Sequence, residues 1–268
     1  MQETTSTRYA LVTGASSGLG RCFALELARQ GVNTVLVALP GSGLAATVDE
    51  ARKQNIRCVS IEADLSDREQ LSEVCRKINA DYPLFMLINN AGIGGTESFA
   101  DCGPDYLDRI IQLNVRATTL LTHQLLPNLR QAPQAYILNV SSMAAFSPVG
   151  YKTIYPASKR YIHDFTRGLH EELRRTNVFV SVVNPGPMKT NDDVTRRIER
   201  QGMFGRLGLL SPEAVARVAL RRLFRRHAMI LPGWSNKLNR LLMGLIPNRI
   251  WLPLMSRVVA RELQIKKL

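Results

Sequence analysis

Long apolar runs are absent from this 268-residue chain, and none approaches the roughly 18 consecutive apolar residues that a membrane-spanning helix needs. Cysteine is scarce. Cys22, Cys58, Cys75 and Cys102 form no Cys-x-x-Cys pair, and none has a histidine at zinc-finger spacing, so they read as reduced thiols and no metal site is expected. The opening MQETTSTRYA lacks the charged and apolar halves of a signal peptide, and a cytoplasmic protein is expected. Compact DNA-binding motifs and RNA-stacking signatures are missing too, which leaves charge as the only argument for nucleic acid, and none is expected as partner. Acid is lacking in one region. Residues 1 to 195 carry 19 Lys and Arg against 19 Asp and Glu, whereas residues 196 to 268 carry 16 against 3, so the whole net charge of +13 is C-terminal. Such asymmetry goes with an anionic partner, such as a phospholipid headgroup or a charged carrier, or with a solvated helical face.

What is present is 45% apolar residues in a chain long enough for one large α/β domain. The chain is organised around Asn139 to Lys159, NVSSMAAFSPVGYKTIYPASK. Tyr136 to Val140 reads as a buried strand, Ser141 and Ser142 as a loop, and a helix opens near Tyr155. Tyr155 and Lys159 are four apart, which stacks a phenol and an ammonium on one helical face. A tyrosine with its ordinary pKa of about 10 is a poor acid or base near neutrality; a cation one turn away favours the phenolate and makes it usable. Ser142 is placed to hold a carbonyl or alcohol oxygen while the proton moves. Taken alone, Tyr-x-x-x-Lys also fits an ordinary helix start with a surface lysine.

The rest of the chain supplies context. RYALVTGASSGLGRCFALELARQG from Arg8 gives strand, Gly-rich turn and helix in the order a dinucleotide site requires. Gly14, Gly18 and Gly20 permit a tight turn and close approach to a pyrophosphate at a helix N-terminus. Asn33 to Ala38 is the second strand. Its end, Ala38-Leu39-Pro40, offers neither an acid for a ribose 2′-hydroxyl nor an arginine for a 2′-phosphate. The reading leans to NADP(H), with Ser16, Ser17 or Ser42 as donors to the phosphate. Ala45 to Gln54 reads as helix, Arg57 to Glu62 as strand, and Ser66 as the N-cap of the helix that follows. Asp64 stands where it can bond an adenine amino group, or serve as a plain turn acid. Pro83 to Ile88 is a fully apolar strand ending in Asn89-Asn90-Ala91-Gly92, a small polar turn at the edge where open α/β sheets bind ligands. The amphipathic stretch from Pro104 to Leu129 buries Asn114, whose amide must find partners. Strand Val178 to Val183 leads into Asn184-Pro185-Gly186. Ser211-Pro212-Glu213 opens another helix, and His227 to Leu231 reads as a last strand.

Thr13-Gly14-Ala15-Ser16-Ser17-Gly18-Leu19-Gly20, Asn89-Asn90-Ala91-Gly92, Asn114, Ser142, Tyr155-Pro156-Ala157-Ser158-Lys159 and Asn184-Pro185-Gly186-Pro187-Met188-Lys189-Thr190 together resemble the short-chain dehydrogenase/reductase family in order and spacing, over roughly residues 8 to 230. The resemblance implies roles. Ser142 would polarise the substrate oxygen, Tyr155 would exchange the proton, and Lys159 would bind the nicotinamide ribose while lowering the Tyr155 pKa. Asn114 would hold the water that relays protons from solvent. Gly14, Gly18 and Gly20 would line the pyrophosphate, Asp64 the adenine, Asn90 the adenosine ribose, and Pro185, Gly186 and Thr190 the nicotinamide side. Ser16, Ser17, Leu19, Leu39, Leu65, Ala91, Gly92 and Met188 complete the cofactor set. Leu39 and Ser17 depart from the basic residues that NADP(H)-preferring members often carry. The resemblance also suggests a homodimer or homotetramer through the helices that carry Asn114 and Tyr155.

These readings give a Rossmann-like fold: one doubly wound, mostly parallel sheet of about seven strands between two helical layers. The expected divisions are a flexible tail at 1–7, an oxidoreductase domain at 8–233 with a lid at 186–210, and a basic amphipathic extension at 234–268. Met143, Phe146, Pro148, Val149, Met188, Met203, Phe204 and Leu207 are expected to wall a pocket for a bulky apolar carbonyl or alcohol, steroid-like, lipid or acyl. In the extension, two amphipathic segments flank Pro247. Their apolar and basic faces suit a membrane surface or the entrance to a greasy pocket, or a helix docked on the same subunit or a neighbour. The expected activity is an NAD(P)-dependent oxidoreductase interconverting a carbonyl and a secondary alcohol. The alternatives are a 3-oxoacyl thioester reductase, and a nucleotide-sensing or scaffold protein docked through its basic tail.

Overall fold

The structure is a computed structural model that describes residues 8–188 and 209–264. Seven parallel strands, β1 (Tyr9–Thr13), β2 (Asn33–Ala38), β3 (Cys58–Glu62), β4 (Leu84–Asn89), β5 (Ala135–Val140), β6 (Val178–Val183) and β7 (Met229–Ile230), lie in the order β3-β2-β1-β4-β5-β6-β7. The order reverses between β1 and β4, and a doubly wound sheet opens a crevice there, at the C-terminal edge of its strands. The fold is Rossmann-like, as the sequence predicts.

Both faces of the sheet are covered, and alternate strand residues serve opposite faces. Ala10, Val12, Leu36 and Ala38 pack with helices α1 (Gly18–Arg29), α2 (Leu44–Arg52) and α7 (Pro212–Phe224). Tyr9, Leu11, Val35 and Val37 pack on the other side with α3 (Arg68–Asp81) and α5 (Thr118–Leu129). Burial pushes the thiols of Cys22 and Cys75 up to about 12, which makes them inert core residues.

Two local expectations are corrected, and one amphipathic stretch proves to be interrupted. The N-cap of α3 is Asp67, whose carboxylate accepts from Glu69 N and Gln70 N. Ser66 instead gives its hydroxyl and its N–H to Asp64. The stretch from Pro104 to Leu129 is not one uniform helix: α4 (Pro104–Ile110) passes through a π turn, Ile111–Ala117, before α5. The last strand shrinks to Met229–Ile230, which pairs with Val182 and Val183 at the end of β6. Beyond it, α8 (Trp234–Leu245) and α9 (Asn248–Gln264) form the C-terminal extension.

Candidate active site

The site grows out of the turn after β1. Gly14 and Gly18 adopt left-handed backbone (φ +65° and +53°), which side-chain-bearing residues rarely do. A Cβ on Gly20 would lie 2.0 Å from the Gly14 carbonyl oxygen, so the third position of this helix must be a residue that has none. The first turn of α1 has no side-chain cap, and Gly18 and Leu19 line the cavity in front of it. Those features make an anion cradle.

The turn after β4 is bolted to that cradle. Thr13 Oγ1 accepts from Asn90 N and Ala91 N, both at 3.0 Å. The Asn90 side chain donates back to the Thr13 and Gly14 carbonyls at 2.9 and 3.3 Å. Asn89, paired across the sheet with Asn139, donates to Asn139 Oδ1 and Thr122 Oγ1 and so ties strands together. Asp64 and Leu65 line the same cavity. Partial burial raises the Asp64 pKa, but bonds from Ser66 and the Arg109 guanidinium 3.6 Å away outweigh it and hold the carboxyl below its ordinary value.

The chemical end lies between β5 and α6 (Ile154–Glu172). Ser142 caps a short 3₁₀ turn, Met143–Phe146, its Oγ accepting from Ala144 N at 3.1 Å. Tyr155 sits in the first turn of α6, and the Lys159 ammonium lies 5.9 Å from its ring centre. Lys159 is buried and donates to Val140 O at 2.9 Å; burial lowers its pKa to about 8. A Cβ on Gly94 would come within 2.7 Å of the Tyr155 ring, so close backbone approach helps fix that ring.

Asn114 does not face the cavity. It sits at the π turn, gives its two amide hydrogens to Ile93 O and Ser158 Oγ, and accepts from Ile93 N, each at 2.9 Å. A Cβ on Gly92 would meet both Asn114 Oδ1 and Lys159 Nζ, at 3.0 and 3.3 Å. The amide thus stands directly behind the lysine.

One cavity of about 790 Å³ joins these parts. Gly14, Ser16, Ser17, Gly18, Leu19 and Leu39 line one end, with Asn90, Ala91 and Gly92; Ser142, Tyr155, Lys159, Pro185, Gly186 and Met188 line the other. Gly20 supports the cradle from beneath rather than lining it, and Ser42 is exposed on the loop after β2. Met143 and Val149 face the cavity, as expected. Phe146 does not. Its ring stacks edge-on against His163, 5.0 Å between centres, with Arg240 4.1 Å above it. Thr190 and Phe204, with Met203, Leu207 and residues 189–208 of the expected lid, lie outside the described residues.

The C-terminal extension takes the pocket-wall role that the sequence left as one of several. Met243, Trp251, Met255 and Val259 from the C-terminal extension form part of the wall. Trp251 Nε1 donates to Ser147 Oγ at 2.5 Å and Ser256 Oγ accepts from Gly150 N at 2.8 Å. The i, i+4, i+8 spacing of Trp251, Met255 and Val259 marks an apolar face without saying what it covers. Among the described residues, no group of His, Cys, Asp or Glu could hold a metal ion.

Residues 8–201 match the short chain dehydrogenase family. The chain therefore belongs to that family of oxidoreductases. It is 31% identical over 230 residues to the ketoacyl reductase HetN of a Nostoc species, spanning 85% of this chain and 79% of that one. The bulky-bulky ketone specific alcohol dehydrogenase of Comamonas testosteroni superposes with a TM-score of 0.75 at 28% identity, covering 90% of this chain and 94% of that one. A short-chain dehydrogenase of Sphingobium yanoikuyae, solved in complex with NADPH, gives a TM-score of 0.76 at 28% identity over 89% and 94% of the two chains.

Proposed function

We propose that this chain is an NADP(H)-dependent reductase that interconverts a bulky apolar ketone and its secondary alcohol. The observation that carries the reading is the single cavity: it runs from a glycine cradle past Ser142, Tyr155 and Lys159 to a wall of Met143, Val149, Met188, Met243, Trp251 and Met255. A dinucleotide fits it, because the cradle accepts a pyrophosphate only where the backbone carries no Cβ. When bound, the nicotinamide supplies or receives the hydride at the substrate carbon.

The chain's own residues handle the oxygen and its proton. Ser142, whose Oγ already accepts from Ala144 N, keeps its hydroxyl hydrogen for the substrate carbonyl. Tyr155 gives that oxygen its proton during reduction and takes it back during oxidation. The Lys159 ammonium favours the phenolate and would donate to the nicotinamide ribose, and Asn114 organises proton supply behind it. Asp64 and Leu65 would hold the adenine end, Asn90 the adenosine ribose, and Pro185 and Gly186 the nicotinamide.

NADP(H) is favoured by the absence of an acid at the end of β2, where Leu39 stands, and by Ser16 and Ser17 in the cavity lining. The bulky ketone of the Comamonas relative supports the substrate class. HetN, named a ketoacyl reductase, supports a second reading in which the ketone belongs to a 3-oxoacyl thioester. Residues 8–233 carry the cofactor cradle and the catalytic residues, the extension from 234 completes the substrate wall, and the protein acts as a homodimer or homotetramer.

Fluorescence titration with NADPH and NADH tests the cofactor, with tighter NADPH binding expected. In Tyr155→Phe, turnover should fall by about 10²–10⁴-fold while NADPH binding persists. Turnover at the wild-type rate would reject the role of Tyr155. Comparing kcat/KM for an aryl-alkyl ketone and a 3-oxoacyl-CoA decides between the two substrates.

A further inference from the structure

The large apolar residues that the fold leaves outside gather on the two C-terminal helices. On α8, Trp234, Leu238, Leu241, Leu242 and Leu245 are exposed, Trp234 and Leu245 at 77% and 69%. At about 3.6 residues per turn these five occupy roughly a third of the helix circumference. The opposite side carries Asn236, packed on Gly186, Arg240 over Phe146, and Met243 in the cavity wall. The second helix repeats the division. Ile250 and Leu254 are exposed, and exposed Arg257 and Arg261 fall on their stripe, whereas Met255 and Val259 turn inward to the cavity. Both helices are therefore two-sided: the inner side walls the active site and the outer side is apolar, with Lys237, Arg249, Arg257 and Arg261 among the leucines.

We propose that this outer face is an in-plane anchor that lays the enzyme on an anionic lipid bilayer, and that the cavity takes its apolar ketone from that bilayer. No described helix is long and apolar enough to cross a membrane, so α8 and α9 would lie along the surface, their leucines in the acyl boundary and their arginines among the headgroups. Charge decides the occupant. The outer face carries Lys237, Arg249, Arg257 and Arg261, and residues 234–261 contain no acid. In a symmetric contact with a second copy, this cationic patch would meet itself, burying like charges together. An anionic surface meets the same cations with opposite charge. The docking half of the inference stands on the exposed face alone; the substrate half rests on the ketone-reductase reading above.

The test is sedimentation of the full-length, cofactor-free protein with phosphatidylcholine vesicles with and without phosphatidylglycerol, at low and raised salt. The wild type should pellet with the anionic vesicles, less so as salt rises. Leu241→Glu/Leu245→Glu, which changes only exposed positions, should lose at least about tenfold in vesicle affinity. Arg257→Ala/Arg261→Ala should lose about fivefold per charge removed. Both variants should keep wild-type kcat on a water-soluble ketone, which separates docking from catalysis. Failure to pellet, or pelleting that neither variant weakens, overturns the docking. A leucine variant that turns a dimer into a monomer without weakening vesicle binding assigns the face to a second copy and also overturns it. If vesicles bind but no ketone is reduced, the catalytic reading fails and the anchor stands.

Discussion

Lys159 is a cation kept out of water by its own fold, and its stability linkage follows from that. Its folded pKa, lowered by burial to about 8, sits below the ordinary value of 10.5. Between those two values the unfolded chain binds more protons than the folded one, so the burial penalty lifts as pH rises. The cofactor-free wild type should therefore gain stability relative to Lys159→Met between pH 8 and pH 10.5. Paired urea midpoints at pH 7.5 and pH 10 check this, and an unchanged difference would contradict it. The residue chemistry here was legible beforehand because four-residue spacing on a helix dictates a shared face. Phe146 was not legible, since nothing in MAAF announces that its ring packs between His163 and Arg240, which come from distant parts of the chain. Ser66 and Asp67 are both good caps; the choice fell to Asp67 because Asp64 claims the Ser66 hydroxyl.

At the scale of elements, α9 works as a wall pinned at two points, Trp251 to Ser147 and Ser256 to Gly150. Trp251→Ala removes one pin and part of the cavity wall. It should lower kcat/KM for a bulky ketone by at least about tenfold, and for acetone-sized ketones much less. Equal losses on both would assign Trp251 to folding alone. Helix α6 is joined to the loop after β6 by a second device, His163 Nδ1 against Asn184 Oδ1 at 3.2 Å. Burial lowers the His163 pKa; the Asn184 bond and Asp164 oppose this, and Arg160 and Arg240 add to it. Below pH 6.5 the unfolded chain takes up a proton that the folded chain resists, so this contribution to stability is lost on acidification. A His163→Gln variant should show a flatter loss of thermal midpoint from pH 7 to pH 5.5. An identical slope would refute the linkage. Helix boundaries were read to within a few residues from periodicity, but the π turn at Asn114 was invisible, because it inserts no proline or glycine into the apolar spacing of IQLNVRA.

For the molecule as a whole, strand order follows from alternation of apolar strands with amphipathic helices, which admits few topologies once crossovers are right-handed. The sequence pattern therefore located the crevice at the strand ends. It did not locate the C-terminal extension, since an amphipathic pattern gives a face and leaves its partner open. The structure answers with a division of labour: the neutral part of the chain carries six of the seven strands, and the basic part adds the edge strand β7, a wall and an outward face.

The contact of Gly186 with Asn236 has a further consequence. A Cβ at Gly186 would lie 2.4 Å from Asn236 Oδ1, and Asn236 is itself held by the Pro232 carbonyl at 2.9 Å. The first helix of the extension and the loop after β6 thus interlock through one absent methyl group and one fixed amide. In a chimera, neither segment is an independent module: a tail grafted from a relative would have to bring its own loop, and a new loop its own tail.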